Sequence, residues 1–329
     1  MQRTLSRSDA VRGHPPRRRG PVVTAAAATV VAAPGVTAPS AVPGPTTPGR
    51  RVPAPVVLEL PRTVVPAPHA WYPASVCGNL CRSGDHIDIA GRVRQASRVV
   101  GLIAFAALLL ATGPLVALTP RLIRRRYLVR AARGLLRSIG VDVRIDDRRP
   151  FAGSARGLIV ANHISYLDIL ALAVISPAHF VAKSDVASMP VISGLARRLG
   201  VITIDRSSLR DLPSAVESAV AELHRDRSVA VFPEGTTWCG REAGRFRPAF
   251  FQAAIDAGVP VMPVRLRFTT ADGAVTSVAS FIGEDSVVDT LRRVLSARGL
   301  TLHITVHEMQ LPGTDRRALA ARCERLVAA

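Results

Sequence analysis

The chain has 329 residues, enough for one large domain or two ordinary ones, which excludes the small scaffolds that depend on disulfides or metals for a core. The net charge is +19, yet basic and acidic residues number 12 and 4 in residues 1–95, 11 and 3 in residues 96–150, and 20 and 17 in residues 151–329. The C-terminal half therefore lacks the basic patch of a nucleic-acid-binding domain, and we expect no nucleic acid among its partners.

The first 95 residues are rich in proline, alanine and arginine. Residues 1–75 hold 14 of the 25 prolines and no apolar pattern long enough to pack. This composition predicts a disordered tail over residues 1–95. Residues 17–33 resemble a weak signal peptide, but prolines bound this Ala/Val run and no Leu or Phe fills it, so export is not favoured.

The four cysteines do not have the pattern of a disulfide framework. They stand at positions 77, 81, 239 and 323, and the first two have the spacing C-x3-C rather than C-x2-C. His69 and His86 could complete a zinc set with them, but reduced, unpaired thiols are favoured. We therefore expect no metal and no cofactor.

An apolar run of membrane-spanning length follows the tail. Residues 99–118 are 20 consecutive uncharged positions, which as a helix measure about 30 Å, the thickness of one hydrocarbon core. Gly113-Pro114 interrupts the run, because proline lacks a backbone donor and strains the preceding turn. The sequence leaves open a kinked span and a 14-residue helix that turns back at this dipeptide.

A basic amphipathic helix is predicted over residues 121–139. Its apolar face and its arginine stripe lie on opposite sides at helical spacing. The apolar face consists of Leu128, Ala132, Leu135 and Ile139, and the stripe of Arg126, Arg130, Arg133 and Arg137. Residues 96–140 thus predict two membrane-anchoring helices, with the following domain on the cytoplasmic side of the cell membrane. Two helices packed in a soluble core are the alternative.

Residues 141–329 have the pattern of an α/β domain. Short β-rich runs alternate with helical patterns, which predicts a mixed, largely parallel sheet flanked by helices. The predicted strands are residues 157–161, 179–182, 201–204, 229–232, 261–266 and 302–308, and the predicted helices lie near residues 166–175, 189–199, 209–225 and 246–257. Functional side chains in such domains stand on the loops that leave the strands.

The first of these loops carries a histidine and an aspartate. His163 follows a predicted strand, and Asp168 lies five positions on, in the first turns of a helix that Ser165 is expected to cap. A carboxylate bonded to one imidazole nitrogen fixes the tautomer and leaves the other nitrogen as a base for an alcohol proton. H-x4-D alone is a weak signal, because a loop histidine and a helix-start aspartate produce it by chance.

Two further loops could bind an anion. Pro233 ends a predicted strand and Gly235 permits a positive φ, so residues 234–236 present a carboxylate, a backbone N–H and a hydroxyl in one loop. Arg206 follows another predicted strand, and a guanidinium matches a phosphate in shape and charge. Taken alone, Arg206 is better explained as a solvated charge paired with Asp205.

Four blocks in order resemble the glycerolipid acyltransferase family, specifically the PlsC-type 1-acyl-sn-glycerol-3-phosphate acyltransferases. They are N-H-x4-D from Asn162, G-x-I-x3-R ending at Arg206, F-P-E-G-T from Phe232 and V-P-V-x-P-V over residues 259–264, and the resemblance covers about residues 125–270. It implies that His163 and Asp168 form the catalytic dyad and that residues 259–264 shape the acyl site. It further implies a substrate-binding set of Asn162, Lys183, Arg206, Glu234, Gly235 and Thr236.

The resemblance implies acyl transfer from acyl-CoA or acyl carrier protein to lysophosphatidate at a membrane lipid surface, giving phosphatidate in phospholipid biosynthesis. No G-x-S-x-G nucleophile motif is present, so we expect direct attack by the acceptor hydroxyl. The alternatives are an enzyme of this family with another acceptor, such as a lyso-amino-acid lipid, a metal-dependent hydrolase that uses His163 and Asp168, and a non-catalytic membrane-bound basic scaffold.

Two positions depart from the family pattern. Thr237 and Trp238 follow E-G-T where the family often has an arginine, so one anion contact is missing. Residues 246–249 read F-R-P-A where the family often has a glycine, which changes the local turn. Three nearby arginines could replace the missing contact, namely Arg241, Arg245 and Arg247. The acceptor is therefore less firmly indicated than the reaction.

Overall fold

The computed structural model describes residues 73–150, 156–183, 200–204 and 209–328. Residues 1–72 of the predicted tail, the helix predicted near residues 189–199, and Arg206 with its neighbour Asp205 lie outside the described residues. The described part of the chain contains one seven-stranded sheet with helices on both faces.

The sheet has the strand order β1-β7-β6-β2-β5-β3-β4. The strands are β1 (Val141–Asp147), β2 (Leu158–Ala161), β3 (His179–Lys183), β4 (Ile202–Ile204), β5 (Val229–Val231), β6 (Val261–Thr269) and β7 (Leu300–Val306). Neighbouring strands are parallel except β6 and β7, which are antiparallel. The predicted mixed, largely parallel sheet is therefore confirmed. β1 is an addition to the predicted strands, and it carries charged residues because it lies at the sheet edge.

The helices differ from the predicted ones mainly at their ends. Within the described residues they are α1 (Arg92–Ala117), α2 (Arg121–Ser138), α3 (Asp168–Ile175), α4 (Leu212–His224), α5 (Phe251–Asp256), α6 (Val287–Ser296) and α7 (Arg316–Ala328). α3 begins at Asp168, two residues later than predicted, because residues 165–168 form a turn in which Asp168 N donates to Ser165 O at 3.1 Å. Ser165 is therefore not the cap. α6 and α7 are absent from the predicted helices, although a capping box of Ser286 and Asp289 starts α6.

Both faces of the sheet are buried. Along β2, Ile159 and Ala161 contact the core under α2, α3 and α6, whereas Leu158 and Val160 contact the core under α4, α5 and α7. All four residues are at most 2% exposed. This alternation explains why β2 reads as an unbroken apolar run, since a strand covered on both sides has no polar face.

α1 is one continuous helix that leaves most of its apolar surface uncovered. It runs for 26 residues through Pro114 to Ala117, which excludes the alternative of a 14-residue helix that turns back at Gly113-Pro114, and the chain turns instead at residues 118–120. α1 is long and apolar enough to cross a membrane, and none of its most apolar window is buried. Proline is tolerated because Pro114 lies in the last turn, where its ring costs one backbone hydrogen bond.

α2 is partly a core helix. Its C-terminal half buries Ala131, Ala132 and Leu136, and Ile139 directly after it is also buried. The predicted arginine stripe is exposed. At Gly134 an added Cβ would meet the ring of Phe105 at 2.3 Å, so glycine permits the close approach of α1. The soluble-core alternative thus describes the C-terminal half of α2, whereas α1 remains uncovered.

Residues 73–91 pack against the domain, which corrects the predicted extent of the tail. Ala90 N donates to Ser296 O at 2.7 Å, and Arg82 pairs with Asp285 at 2.5 Å. Asp85 accepts hydrogen bonds from residue 277 and pairs with Arg241. Specific polar pairs hold this segment in place, and composition does not reveal such pairs.

Candidate active site

The candidate site lies where parallel strands end. β2 is the neighbour of β5, and β5 is the neighbour of β3, all in the same direction. The loop after β2 carries His163, and the loop after β5 carries residues 234–236. Because parallel strands deliver their carboxyl ends to one sheet edge, the topology brings these two loops together.

His163 and Asp168 are in direct contact. His163 Nδ1 lies 2.9 Å from Asp168 Oδ2, and the Asp168 side chain is fully buried. The same oxygen accepts the backbone N–H groups of Ile164 at 2.6 Å and Ser165 at 2.8 Å. The loop therefore folds back onto the first residue of α3, and its own backbone orients the carboxylate toward the imidazole.

The imidazole is held between the aspartate and an aromatic ring. It stacks on Phe232 with ring centroids 4.0 Å apart and planes 11° from parallel. Its side chain is 15% exposed, and within the described residues Nε2 has no hydrogen-bond partner. Nε2 is thus the ring nitrogen that is left for another partner. Sequence reasoning missed the role of Phe232, although the residue opens the F-P-E-G-T block and could have been flagged there.

Glu234 organises the backbone of the site. It is 4% exposed, and its two oxygens accept the backbone N–H groups of His163 at 2.7 Å and Gly244 at 3.1 Å. Burial raises the pKa of Glu234 to about 8, against the opposing effect of these two hydrogen bonds, and the charges of Asp168 and Glu324 add to the rise. Both carboxylate oxygens are therefore occupied by main-chain partners beside the histidine.

Asn162 is likewise used by the backbone. Its amide nitrogen donates to Leu266 O at 3.0 Å, and its carbonyl oxygen accepts from Leu266 N at 2.8 Å. The side chain thereby continues the β2–β6 ladder, whose last backbone pair is Ala161 with Val264. Asn162 fixes the point at which the chain leaves the sheet, directly before His163.

Gly235 has the backbone conformation that its loop requires. Its φ is +77°, and an added Cβ would lie 2.9 Å from Pro73 Cβ and 3.5 Å from Arg247 Nε. Only glycine combines this positive φ with such close neighbours. Thr236 lies half-buried beside it. Pro73 therefore borders the loop predicted to bind phosphate.

The remaining predicted site residues are placed in part. Lys183 is the last residue of β3, opposite Ile204 at the end of β4, so both strands end at the same edge as β2 and β5. Arg206 follows two residues after Ile204 and lies outside the described residues. Residues 261–264 are buried at the start of β6, so this part of the V-P-V-x-P-V block packs in the sheet.

The arginines proposed to replace the missing anion contact have different positions. Arg241 donates to Cys81 O at 2.8 Å and pairs with Asp85, so it holds residues 73–91 rather than an anion. Arg245 and Arg247 are exposed, and Arg247 lies next to Gly235. Of the three, Arg247 is the one that the structure places at the predicted phosphate loop.

Comparison with known proteins shows which family this chain resembles. Residues 141–267 match the family model described as Acyltransferase. The chain is 33% identical over 182 residues to a 1-acyl-sn-glycerol-3-phosphate acyltransferase of Neisseria meningitidis, covering 55% of this chain and 70% of that one. It is 31% identical over 244 residues to a lyso-ornithine lipid O-acyltransferase of Pseudomonas aeruginosa, covering 72% of this chain and 93% of that one.

A solved structure shares the fold. The crystal structure of the 1-acyl-sn-glycerophosphate acyltransferase PlsC from Thermotoga maritima superposes with a TM-score of 0.52 at 20% identity, over 71% of this chain and 94% of that one. The histidine, the aspartate and the F-P-E-G-T loop all fall inside the matched family region. The sequence matches and the shared fold together show that the chain belongs to the acyltransferase family, in the group that includes lysophosphatidate and lyso-ornithine lipid acyltransferases.

Proposed function

We propose that this acyltransferase moves an acyl group from a thioester, acyl-CoA or acyl carrier protein, to the free hydroxyl of 1-acylglycerol-3-phosphate. The product is phosphatidate, and the proposed role is phospholipid biosynthesis. The observation that carries the proposal is the 2.9 Å contact between His163 Nδ1 and the buried Asp168, which leaves Nε2 without a partner among the described residues.

The proposed mechanism uses His163 as a general base. Nε2 takes the hydroxyl proton while the acceptor oxygen bonds to the thioester carbonyl carbon. Asp168 stabilises the imidazolium that forms, because its carboxylate already accepts from Nδ1. The C–S bond then breaks, and the thiolate takes the proton from the imidazolium. Atoms and charges balance without a covalent enzyme intermediate, and the absence of a G-x-S-x-G motif supports this order.

The predicted substrate-binding residues divide into two groups. The side-chain polar atoms of Asn162 and Glu234 form hydrogen bonds with backbone groups. We therefore assign these two residues positioning roles and not the substrate contact predicted from the sequence. The acceptor phosphate is assigned to Lys183, Arg206 and the Gly235–Thr236 turn, with Arg247 in place of the missing arginine. The shared edge of β2, β5, β3 and β4 supports this grouping.

Membrane attachment is part of the proposal. α1 has the length and the exposed apolar surface of a membrane helix, and the arginines of α2 face outward beside it. We propose a tail over residues 1–72, anchoring by residues 96–140, and an acyltransferase domain over residues 141–329 on the cytoplasmic side of the cell membrane. Both substrates carry acyl chains, so an enzyme held at the bilayer meets them where they reside.

A second acceptor has a specific observation in its favour. The lyso-ornithine lipid acyltransferase of Pseudomonas aeruginosa matches over 93% of its own length, a larger share than the 70% of the meningococcal relative. A lyso-ornithine lipid has a free amino-acid headgroup without phosphate. The two acceptors therefore differ in their need for a cationic phosphate site.

An acceptor panel tests the proposed reaction. The full chain in lipid–detergent micelles receives labelled acyl-CoA or acyl carrier protein with lysophosphatidate, lyso-ornithine lipid or no acceptor. We expect labelled phosphatidate in the absence of added metal. Transfer to lyso-ornithine lipid alone would establish the second candidate, and hydrolysis without transfer would contradict both.

Arg206→Ala tests phosphate recognition. A charge-assisted hydrogen bond contributes about 1.5–3 kcal/mol, so the KM for lysophosphatidate should rise by about 10- to 150-fold while the KM for the thioester stays near its wild-type value. The matched control is Arg210→Ala, which removes an exposed arginine four positions on. If only the thioester KM rose, Arg206 would belong to the donor site.

A further inference from the structure

Three cysteines that are distant in sequence meet beside the active site. Cys77 precedes a short 3-10 turn (Asn79–Arg82) in the segment before α1, Cys81 lies within that turn, and Cys239 lies in the loop after β5. Their three Sγ atoms all lie within 4.8 Å of one another. In the sequence, Cys77 and Cys81 are too few ligands for a metal site, because Cys239, the third cysteine of the cluster, is more than 150 positions away.

This spacing suits one shared metal ion better than a disulfide. Thiolates on a tetrahedral Zn²⁺ ion are about 2.3 Å from the metal, which puts the sulfurs about 3.8 Å from each other. A disulfide would use two of the sulfurs and leave the third thiol buried against the bond. Three sulfurs at mutual distances under 4.8 Å surround a single point and need only small shifts to bind one ion.

The surroundings favour thiolate ligands. Cys77 and Cys239 are buried against Ile282, and Trp238 packs on the cluster. Gly240 has a φ of +87°, and in the turn that it forms Glu242 N donates to Cys239 Sγ at 3.4 Å. Such N–H groups stabilise a metal-bound thiolate from outside the coordination sphere.

We propose that Cys77, Cys81 and Cys239 bind one Zn²⁺ ion with water as the fourth ligand on the half-exposed side of Cys81. Binding releases the three thiol protons to solvent and leaves a trithiolate complex of net charge −1. The inference is independent of the acceptor chemistry proposed above.

The ion would join two parts of the molecule that matter to the site. On one side, Pro73 in the segment that carries Cys77 and Cys81 lies close to Gly235. On the other side, Trp238, the neighbour of Cys239, donates its backbone N–H to His163 O at 2.8 Å. An ion bound by Cys77, Cys81 and Cys239 would therefore hold in place both the residues that border the loop predicted to bind phosphate and the backbone next to His163, the proposed base. The bound ion would order the edge of the active site.

Metal content of the full chain tests the site. Protein purified with Zn²⁺ and passed over a desalting column should hold about one zinc per chain. Cys77→Ser, Cys81→Ser and Cys239→Ser should each weaken zinc binding by more than about 100-fold, beyond the loss typical of an outer-shell change. The matched control is Cys323→Ser in α7, which removes a buried thiol outside the cluster and should keep the zinc.

A second measurement uses the wild-type chain and does not depend on how the variants fold. Zn²⁺ added to reduced, metal-free protein should release about three protons and protect Cys81, the half-exposed member of the cluster, from alkylation. Cobalt in its place should give the intense near-ultraviolet absorption of thiolate ligation. Zinc below a tenth of an equivalent, or an intramolecular disulfide between two of these cysteines in protein prepared under reducing conditions, would overturn the proposal.

Discussion

His163→Ala is expected to reduce acyl transfer by about 10²- to 10⁴-fold with both substrates saturating, because general-base catalysis contributes that range. The imidazole is partly exposed, whereas the Asp168 beneath it is fully buried, so removing the ring opens the site without emptying the core. The variant should therefore remain folded. The measurement is the rate of labelled phosphatidate formation together with the thermal unfolding midpoint.

Asp168→Asn should cause a smaller loss than His163→Ala. The asparagine oxygen can still accept from Nδ1 and from the N–H groups of Ile164 and Ser165, but it no longer carries the charge that stabilises an imidazolium. Alanine is a poorer test, because it leaves two buried N–H groups unpaired at about 1–3 kcal/mol each. The asparagine keeps the local fold and isolates the charge.

The matched control for the dyad is His224→Ala. His224 is an exposed histidine at the end of α4, so the same chemical change there should leave the rate unchanged. Wild-type rates in His163→Ala or in Asp168→Asn would remove the dyad assignment. They would also restore the alternative of a non-catalytic membrane-bound scaffold.

Loss of α1 should have a large effect on membrane binding. Deleting residues 1–72 should leave vesicle binding and activity intact, because this deletion ends before the packed segment 73–91. Deleting residues 1–118 should abolish flotation with vesicles, since it removes the uncovered apolar helix. The deleted form could aggregate through the newly exposed surface of α2, so a point variant is also needed.

That point variant replaces exposed apolar residues of α1 without touching its contact with α2. Ile103, Leu110 and Leu115 are 63%, 78% and 68% exposed, and their joint replacement by Gln should shift the protein from the floating to the soluble fraction. Leu311→Gln is the matched control, because Leu311 is 76% exposed and lies outside α1. Unchanged flotation of the α1 variant would contradict anchoring by this helix.

The arginines of α2 should add a salt-dependent contribution to membrane binding. Each is expected to contribute about 1 kcal/mol to binding of anionic vesicles at low ionic strength. Their replacement by Gln should weaken binding at low salt and have little effect at high salt or with neutral vesicles. The four residues are Arg126, Arg130, Arg133 and Arg137. Salt-independent binding would assign the whole membrane affinity to the apolar contact.

The sequence by itself determined the α/β fold, the apolar helix and the grouping of chemistry on strand-end loops. These features are local, because consecutive residues encode buried strands, caps and apolar runs. His163 and Asp168 belong to this class, because five positions separate them and one loop brings them together. The strand-end position of Lys183 follows from the same local pattern.

The tertiary structure decided what depends on contacts between distant residues. Asn162 and Glu234 look like substrate contacts in sequence, yet backbone groups of β6 and of residues 163 and 244 occupy their polar atoms. α2 reads as a surface helix, but α3 covers its C-terminal half. The three-cysteine cluster exists only after residues 73–91 pack on the loop behind β5, because no local pattern encodes a pairing across more than 150 residues.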